Sequence, residues 1–146
     1  MDCLADTNVL VRTIDRLHSH HRIAVNALDR VLRAGGHIYI AAQNLIEFWS
    51  VCSRPINRNG LGLSISETEE AVSRLERLLL LLPEVPAVFP EWRRLVTAHA
   101  VSGFDVFDAR LVAVMRVYGI RDLLTFNGSD FMRYPAINVV DPSSVR

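Results

Sequence analysis

An α/β fold, with a short and mostly parallel central sheet covered by helices, is what the amino-acid sequence predicts. Two observations carry it. Short runs that are apolar without alternation, such as Leu4-Ala5, Ile38-Tyr39-Ile40 and Leu123-Leu124, recur along the chain, as strands buried on both faces do. Between them lie longer segments with helical spacing of apolar residues, so strands and helices alternate. The 146 residues are the size of one domain, 1–146, and half of them are apolar, enough for a filled core.

The elements follow in order. Leu4-Ala5 reads as a strand closed by the polar turn Asp6-Thr7-Asn8, and Val9 to Ile14 as a short amphipathic piece. Ser19 has the chemistry of an N-cap for a helix with apolar Ile23, Ala27, Leu28, Val31 and Leu32, which Gly35-Gly36 ends. His37 to Ala41 is the next strand. Gln43 to Cys52 is helical, with Leu45, Trp49 and Cys52 on one face, and Pro55 limits its extension. Arg54 to Leu63, with Pro55, Gly60 and Gly62, is loop. Ser66-Glu67-Thr68-Glu69 reads as a capping box for a helix running through Leu82. Val85 to Val88 is a short strand between two prolines, and Pro90 to Ala100 a helix. Asp105 to Tyr118 is strongly periodic, apolar at Phe107, Leu111, Val114, Met115 and Tyr118, with Gly119 behind it. Leu123-Leu124-Thr125 is a strand, Asn127-Gly128-Ser129-Asp130 a turn, and Asn138-Val139-Val140 the last strand.

Composition excludes several chemistries. Sixteen acids balance sixteen bases, so no global positive field draws the chain to nucleic acid. All the bases are arginine; without lysine there is no Schiff-base chemistry and no P-loop. It also argues against a phosphoacceptor receiver domain, whose acidic pocket usually employs a lysine. Cys3 and Cys52 are too few for a disulfide framework and read as small buried hydrophobes in a reducing compartment. There is no signal segment, and the leucine run 78–82 is far too short to span a membrane, so a cytoplasmic location is expected.

Four acids stand where local structure explains them incompletely. Asp6 ends the first strand, Glu47 lies within Leu45-Ile46-Glu47-Phe48-Trp49, Asp108 is in the first turn of a helix, and Asp130 follows the Leu123–Thr125 strand. Ligands in parallel α/β folds sit beyond the carboxyl ends of the strands, where Asp6 and Asp130 both point. Two carboxylates about 4 Å apart repel by roughly 1 kcal/mol in water and about 4 kcal/mol near a protein surface, so a cluster needs protons or a cation. Oxygen-only ligands favour Mg²⁺ or Mn²⁺ over Zn²⁺. Taken singly, each acid has a plainer role: Asp6 as a helix cap, Asp105 and Asp108 as cap and first-turn charge, Glu47 as a surface acid, Asp130 as a turn cap. His18-Ser19-His20-His21 reads as a solvated helix start, not a zinc site. Arg54, Arg58, Arg93 and Arg94 are surface arginines whose forked guanidinium also suits RNA phosphates.

Ala5-Asp6-Thr7-Asn8-Val9-Leu10, the Glu47 helix, Phe107-Asp108-Ala109-Arg110-Leu111-Val112-Ala113 and Leu124-Thr125-Phe126-Asn127-Gly128-Ser129-Asp130-Phe131 together resemble the PIN-domain ribonucleases. The similarity is strongest to the VapC-type toxins of bacterial toxin–antitoxin pairs, and it runs from Leu4 to Pro142. The resemblance implies that Asp6, Glu47, Asp108 and Asp130 form an acidic pocket, with Asp6 and Asp108 the principal ligands of Mg²⁺ or Mn²⁺. Asn127 departs from the pattern, since many relatives carry an acid there, and Asp130 is then the fourth carboxylate. The implied activity is metal-assisted hydrolysis of RNA phosphodiester bonds leaving a 5′-phosphate and a 3′-hydroxyl, with Thr7, Asn8, Thr125 and Asn127 steadying the carboxylates. The implied partners are an antitoxin protein and a second copy of the chain, the homodimer also suggested by the apolar excess and a Leu75–Leu82 helix. Two further readings stand beside it: a PIN-domain nuclease of RNA processing, and a PIN-like interaction module without metal binding.

Overall fold

The computed structural model describes residues 1–146 and places five parallel strands in one sheet, in the order β3-β2-β1-β4-β5. The strands are β1 (Cys3–Ala5), β2 (Ile38–Ala41), β3 (Leu80–Leu82), β4 (Asp122–Leu124) and β5 (Asn138–Val140). Six helices complete it: α1 (Thr7–Arg12), α2 (His21–Arg33), α3 (Ala42–Ser53), α4 (Ile65–Leu78), α5 (Val88–Ala98) and α6 (Asp105–Tyr118). Side chains alternate across the central strands, because successive residues of a strand point to opposite faces. Cys3, Ala5, Ile38, Ile40 and Leu124 pack with α1 to α4 on one side. Leu4, Ala41 and Leu123 pack with α5 and α6 on the other. The result is a three-layer α/β/α molecule, and burying Leu4 completely contributes roughly 1.5–3 kcal/mol. Both cysteines are free and buried, and burial pushes the Cys3 thiol up to about 12 and that of Cys52 to about 11. No helix is long and apolar enough to cross a membrane.

Several expectations are corrected. The helix expected through Leu82 ends at Leu78, and Leu80–Leu82 leaves it to become β3, paired with Tyr39–Ala41. Its capping box is formed by Ser64 with Glu67, whose side chains each accept from the other's backbone N–H, and not by Ser66 with Glu69. Val85–Val88 is not a strand: the chain turns there and Val88 opens α5. Ser19 does not cap α2. His20 occupies the cap position, and the His18 imidazole accepts from the His20 backbone N–H at 3.0 Å, closing the turn ahead of the helix. Asp105 does not cap α6 either; it is the first helical residue, after Phe104, and pairs with Arg133 at 3.2 Å. Phe107 is half exposed, so the buried face of α6 is Ala109 and Leu111 to Met115.

Candidate active site

The carboxyl ends of β1, β2 and β4 meet at one edge of the sheet, and α6, running back toward β4, brings its N-terminus to the same edge. Asp6 follows β1 directly. Glu47 is in the second turn of α3, which leaves β2 without a loop; Asp108 is in the first turn of α6; Asp130 is in the 3₁₀ turn Gly128–Phe131 after β4. All four line one cavity of about 360 Å³, together with Thr7, Asn8, Arg12, Arg54, Asn59 and Asn127 among others.

Asp6 both caps α1 and lines the cavity. Its Oδ1 accepts from the Thr7 N–H at 2.7 Å, capping α1. Its Oδ2 accepts from the Thr125 hydroxyl at 2.7 Å and from Asn8 Nδ2 at 3.0 Å. A carboxylate offers about two acceptor positions per oxygen, so Oδ2 is filled and Oδ1 keeps one free. Burial, the largest cause, pushes the Asp6 carboxyl above its ordinary value; the Thr125 hydroxyl and the Thr7 N–H pull it back, while Glu47 and Asp130 add to the rise. Asn8 and Thr125 serve more than Asp6: Asn8 Oδ1 accepts from the Phe126 N–H at 3.2 Å and Thr125 Oγ1 from the Asn127 N–H at 3.0 Å. The segment after β4 is thereby laced to the start of α1.

Glu47 is held at both oxygens, Oε2 by the Thr7 hydroxyl at 2.8 Å and Oε1 by Gln43 Nε2 at 2.9 Å. Fully buried Asn44 supports this from behind, donating to Thr7 Oγ1 at 3.3 Å and accepting the Ala41 N–H at 2.8 Å. Asp108 is different. It is half-buried, joins none of the chain's side-chain hydrogen bonds or ion pairs, and burial followed by the charges of Asp6, Asp130 and Glu47 pushes its carboxyl up to about 6. Such a group either keeps its proton to higher pH than an ordinary carboxyl or faces a cation.

The donor set is oxygen-only, which suits Mg²⁺ or Mn²⁺. No three acids converge on one point. One or two carboxylates completed by water is, however, the usual arrangement for Mg²⁺, and the free acceptor on Asp6 Oδ1 and both oxygens of Asp108 fit it. The histidines lie elsewhere in role: His20 stacks on Phe126 with ring centroids 4.4 Å apart, and His21 Nδ1 donates to the Arg12 carbonyl at 2.8 Å. Of the four arginines singled out in the sequence, only Arg54 lines the cavity; Arg93 and Arg94 border a separate hollow on α5, where Arg94 pairs with Glu91. A larger depression of about 850 Å³ lies between residues 13–17 and the start of α4. Three of its four acids are already engaged, Asp15 with Arg12, Glu67 in the capping box and Glu70 with Arg74 and Arg77. Gln43, Asn44 and Arg110 were not singled out in the sequence; the one signal there is a polar pair, Gln43-Asn44, at a helix start directly behind a buried strand.

Comparison with known proteins agrees with this fold. The family model of the PIN domain matches residues 3–137. Ribonuclease VapC48 of Mycobacterium tuberculosis is 28% identical over 144 residues, 95% of this chain and 96% of that protein. Among solved structures, VapBC2 from Rickettsia felis, bound to a DNA fragment from their promoter, superposes with a TM-score of 0.72 at 17% identity, covering 96% of this chain and 98% of that one. VapC20 of Mycobacterium tuberculosis, a sarcin-ricin loop cleaving toxin, superposes with a TM-score of 0.65 at 18% identity over 88% of this chain and 92% of that one.

Proposed function

This chain belongs to the PIN-domain family, and from that premise we propose that it is a Mg²⁺- or Mn²⁺-dependent endoribonuclease, the toxin of a toxin–antitoxin pair. The observation that supports this best is Asp108, a half-buried carboxylate without a protein donor that faces three other acids. Asp6, through Oδ1, and Asp108 are the ligands we assign to the ion. When bound, the ion supplies Lewis acidity toward the phosphate and lowers the pKa of a water.

The protein's own residues do the rest. Thr125, Asn8 and the Thr7 N–H keep the Asp6 carboxylate in one rotamer. Glu47, fixed at both oxygens, closes the acidic wall, and Asp130 borders it across from α3. Arg54 lines the rim and joins none of the chain's ion pairs, so its guanidinium is available to a phosphate flanking the cleaved bond. Its backbone is fixed: the Arg54 carbonyl accepts the Gly62 N–H at 2.8 Å, and a Cβ on Gly60 would lie 2.0 Å from that oxygen.

The assigned partner is an antitoxin whose C-terminal segment lies across the cavity and presents an arginine to the carboxylates. The toxin–antitoxin complexes among its structural neighbours support this. We further assign the protein to the cytoplasm, as a homodimer of single-domain chains. The dimer no longer rests on a Leu75–Leu82 helix, which ends at Leu78, but Leu78, Leu80 and Leu81 remain exposed. Incubation of purified protein with RNA, followed by sequencing of 5′-monophosphate ends, tests the activity. Cleavage should stop with chelator, return with Mg²⁺ or Mn²⁺, and be absent in Asp108→Asn; undiminished cleavage in excess chelator overturns the proposal.

A further inference from the structure

We propose that Gln43 is a positioning residue that holds the Glu47 carboxylate and the first turn of α6, with Asp108 on it, in one fixed relation; the proposal rests on the metal-site reading above. The Gln43 amide nitrogen makes two hydrogen bonds, to Glu47 Oε1 at 2.9 Å and to the Phe107 carbonyl at 2.8 Å. Phe107 directly precedes Asp108. One amide group therefore ties α3, in one helical layer, to the start of α6, in the other. The amide's orientation is unambiguous, because both neighbours of its nitrogen are acceptors. Its oxygen accepts from Arg110 Nη1 at 3.2 Å, and Arg110 Nη2 in turn pairs with Glu84 at 2.7 Å.

The chain Glu84–Arg110–Gln43–Glu47–Thr7–Asn44 is thus continuous. It runs from the segment after β3 through α6 and α3 to α1 and back to α3. The guanidinium polarises the amide, which strengthens its donation to Glu47. A neutral donor also suits this place, since it restrains Glu47 without introducing a cation that would compete for the acids. Glu47 has a long, flexible side chain, and left alone it would have to be ordered when an ion binds. Gln43 orders it beforehand. The i, i+4 spacing on α3 makes the contact with Glu47 geometrically natural; the contact across to α6 is what sequence spacing does not show.

The test uses Mn²⁺ alone as the probe, with free Mn²⁺ followed by electron paramagnetic resonance, and RNA turnover beside it. Gln43→Met keeps side-chain length and removes every polar contact. Gln43→Asn keeps the amide but is one methylene too short to reach both acceptors, and it carries the test should the Met variant fail to fold in a chelator melt. Each folded variant should lose about 10- to 100-fold in Mn²⁺ affinity, the range seen when groups supporting a metal's ligands are removed. The rate constant kcat should fall while KM for RNA holds. In a Glu47→Gln background the same change should lose less, because only the tie from Gln43 to the Phe107 carbonyl then remains to be broken. Wild-type Mn²⁺ binding in a folded variant, or a loss in the Glu47→Gln background as large as in the wild type, overturns the proposal. If the wild-type protein cleaves no RNA while its Mn²⁺ affinity still depends on Gln43, the ribonuclease reading fails and the positioning role stands.

Discussion

Replacing Asp108 by asparagine should stabilise the protein in the absence of metal. Asp108 accepts no hydrogen bond from the chain, so the amide loses no contact, while the burden of keeping a half-buried charge among like charges disappears. Its carboxyl is pushed from 3.8 to about 6, which at about 1.36 kcal/mol per pH unit corresponds to roughly 3 kcal/mol. Because the group is only half-buried, solvent screening reduces this to about 1 kcal/mol. For a chain of this length that is a rise of about 2–4 °C in Tm. The sign follows from the direction of the shift. A carboxyl that holds its proton more tightly in the folded state contributes stability below the unfolded pKa and loses it as pH rises through the folded value. The two melts should therefore coincide near pH 4, separate between about pH 4 and 6, and stay separated above. Circular-dichroism melts in chelator across that range are the assay. Saturating Mn²⁺ should reverse the order, since an ion bound at 100 times its Kd adds about 2.7 kcal/mol to the wild type alone. An Asp108→Asn variant that melts at or below wild type in chelator at pH 7.5 refutes the reasoning.

Asp105→Ala should leave turnover substantially intact and cost at most about 1 kcal/mol in urea unfolding, because Asp105 forms a solvent-exposed pair with Arg133 and not a cap. Thr125→Val removes the buried hydroxyl that donates to Asp6 and should cost about 1–3 kcal/mol, read as a lower urea midpoint at unchanged slope, with weaker Mn²⁺ binding. Gly60→Ala places a methyl 2.0 Å from the Arg54 carbonyl oxygen and should destabilise by roughly 1–3 kcal/mol while raising KM for RNA, as the turn that carries Arg54 is forced open.

What was legible in the sequence is what local chemistry determines. α6 runs from Asp105 to Tyr118, as its spacing indicates, because a long periodic stretch ends at Gly119, which takes the left-handed conformation at φ 70°. β3 was not legible. Leu78 to Leu82 is an unbroken apolar run of a good helix former, so nothing in its pattern separates the end of α4 from an edge strand; only pairing with Tyr39–Ala41 does. The capping box slipped by two residues because Ser64 and Ser66 both precede a glutamate, and Glu67 lies three residues beyond Ser64. The four acids were legible as types and order. Gln43 and Arg110 were not, since their role depends on α3 and α6 meeting across the sheet edge, which neither local segment encodes.

The acids of this chain also show why capping and site roles need not compete. Asp6 caps α1 with one oxygen position and still has an acceptor free on Oδ1, and the cap is what aims it, since the turn after β1 sets both the helix start and the carboxylate. Asp108 and Glu91 differ in whether a guanidinium meets the carboxylate. Glu91, whose side chain is 20% exposed, is met by Arg94 and Arg116, and those guanidiniums hold its carboxyl down to about 2. Asp108, with no such partner and three acids in front of it, goes the other way, to about 6. A fold selected for stability alone would have treated Asp108 as it treats Glu91. The opposite treatment, at the edge where β1, β2 and β4 end, is what the metal site proposed above calls for.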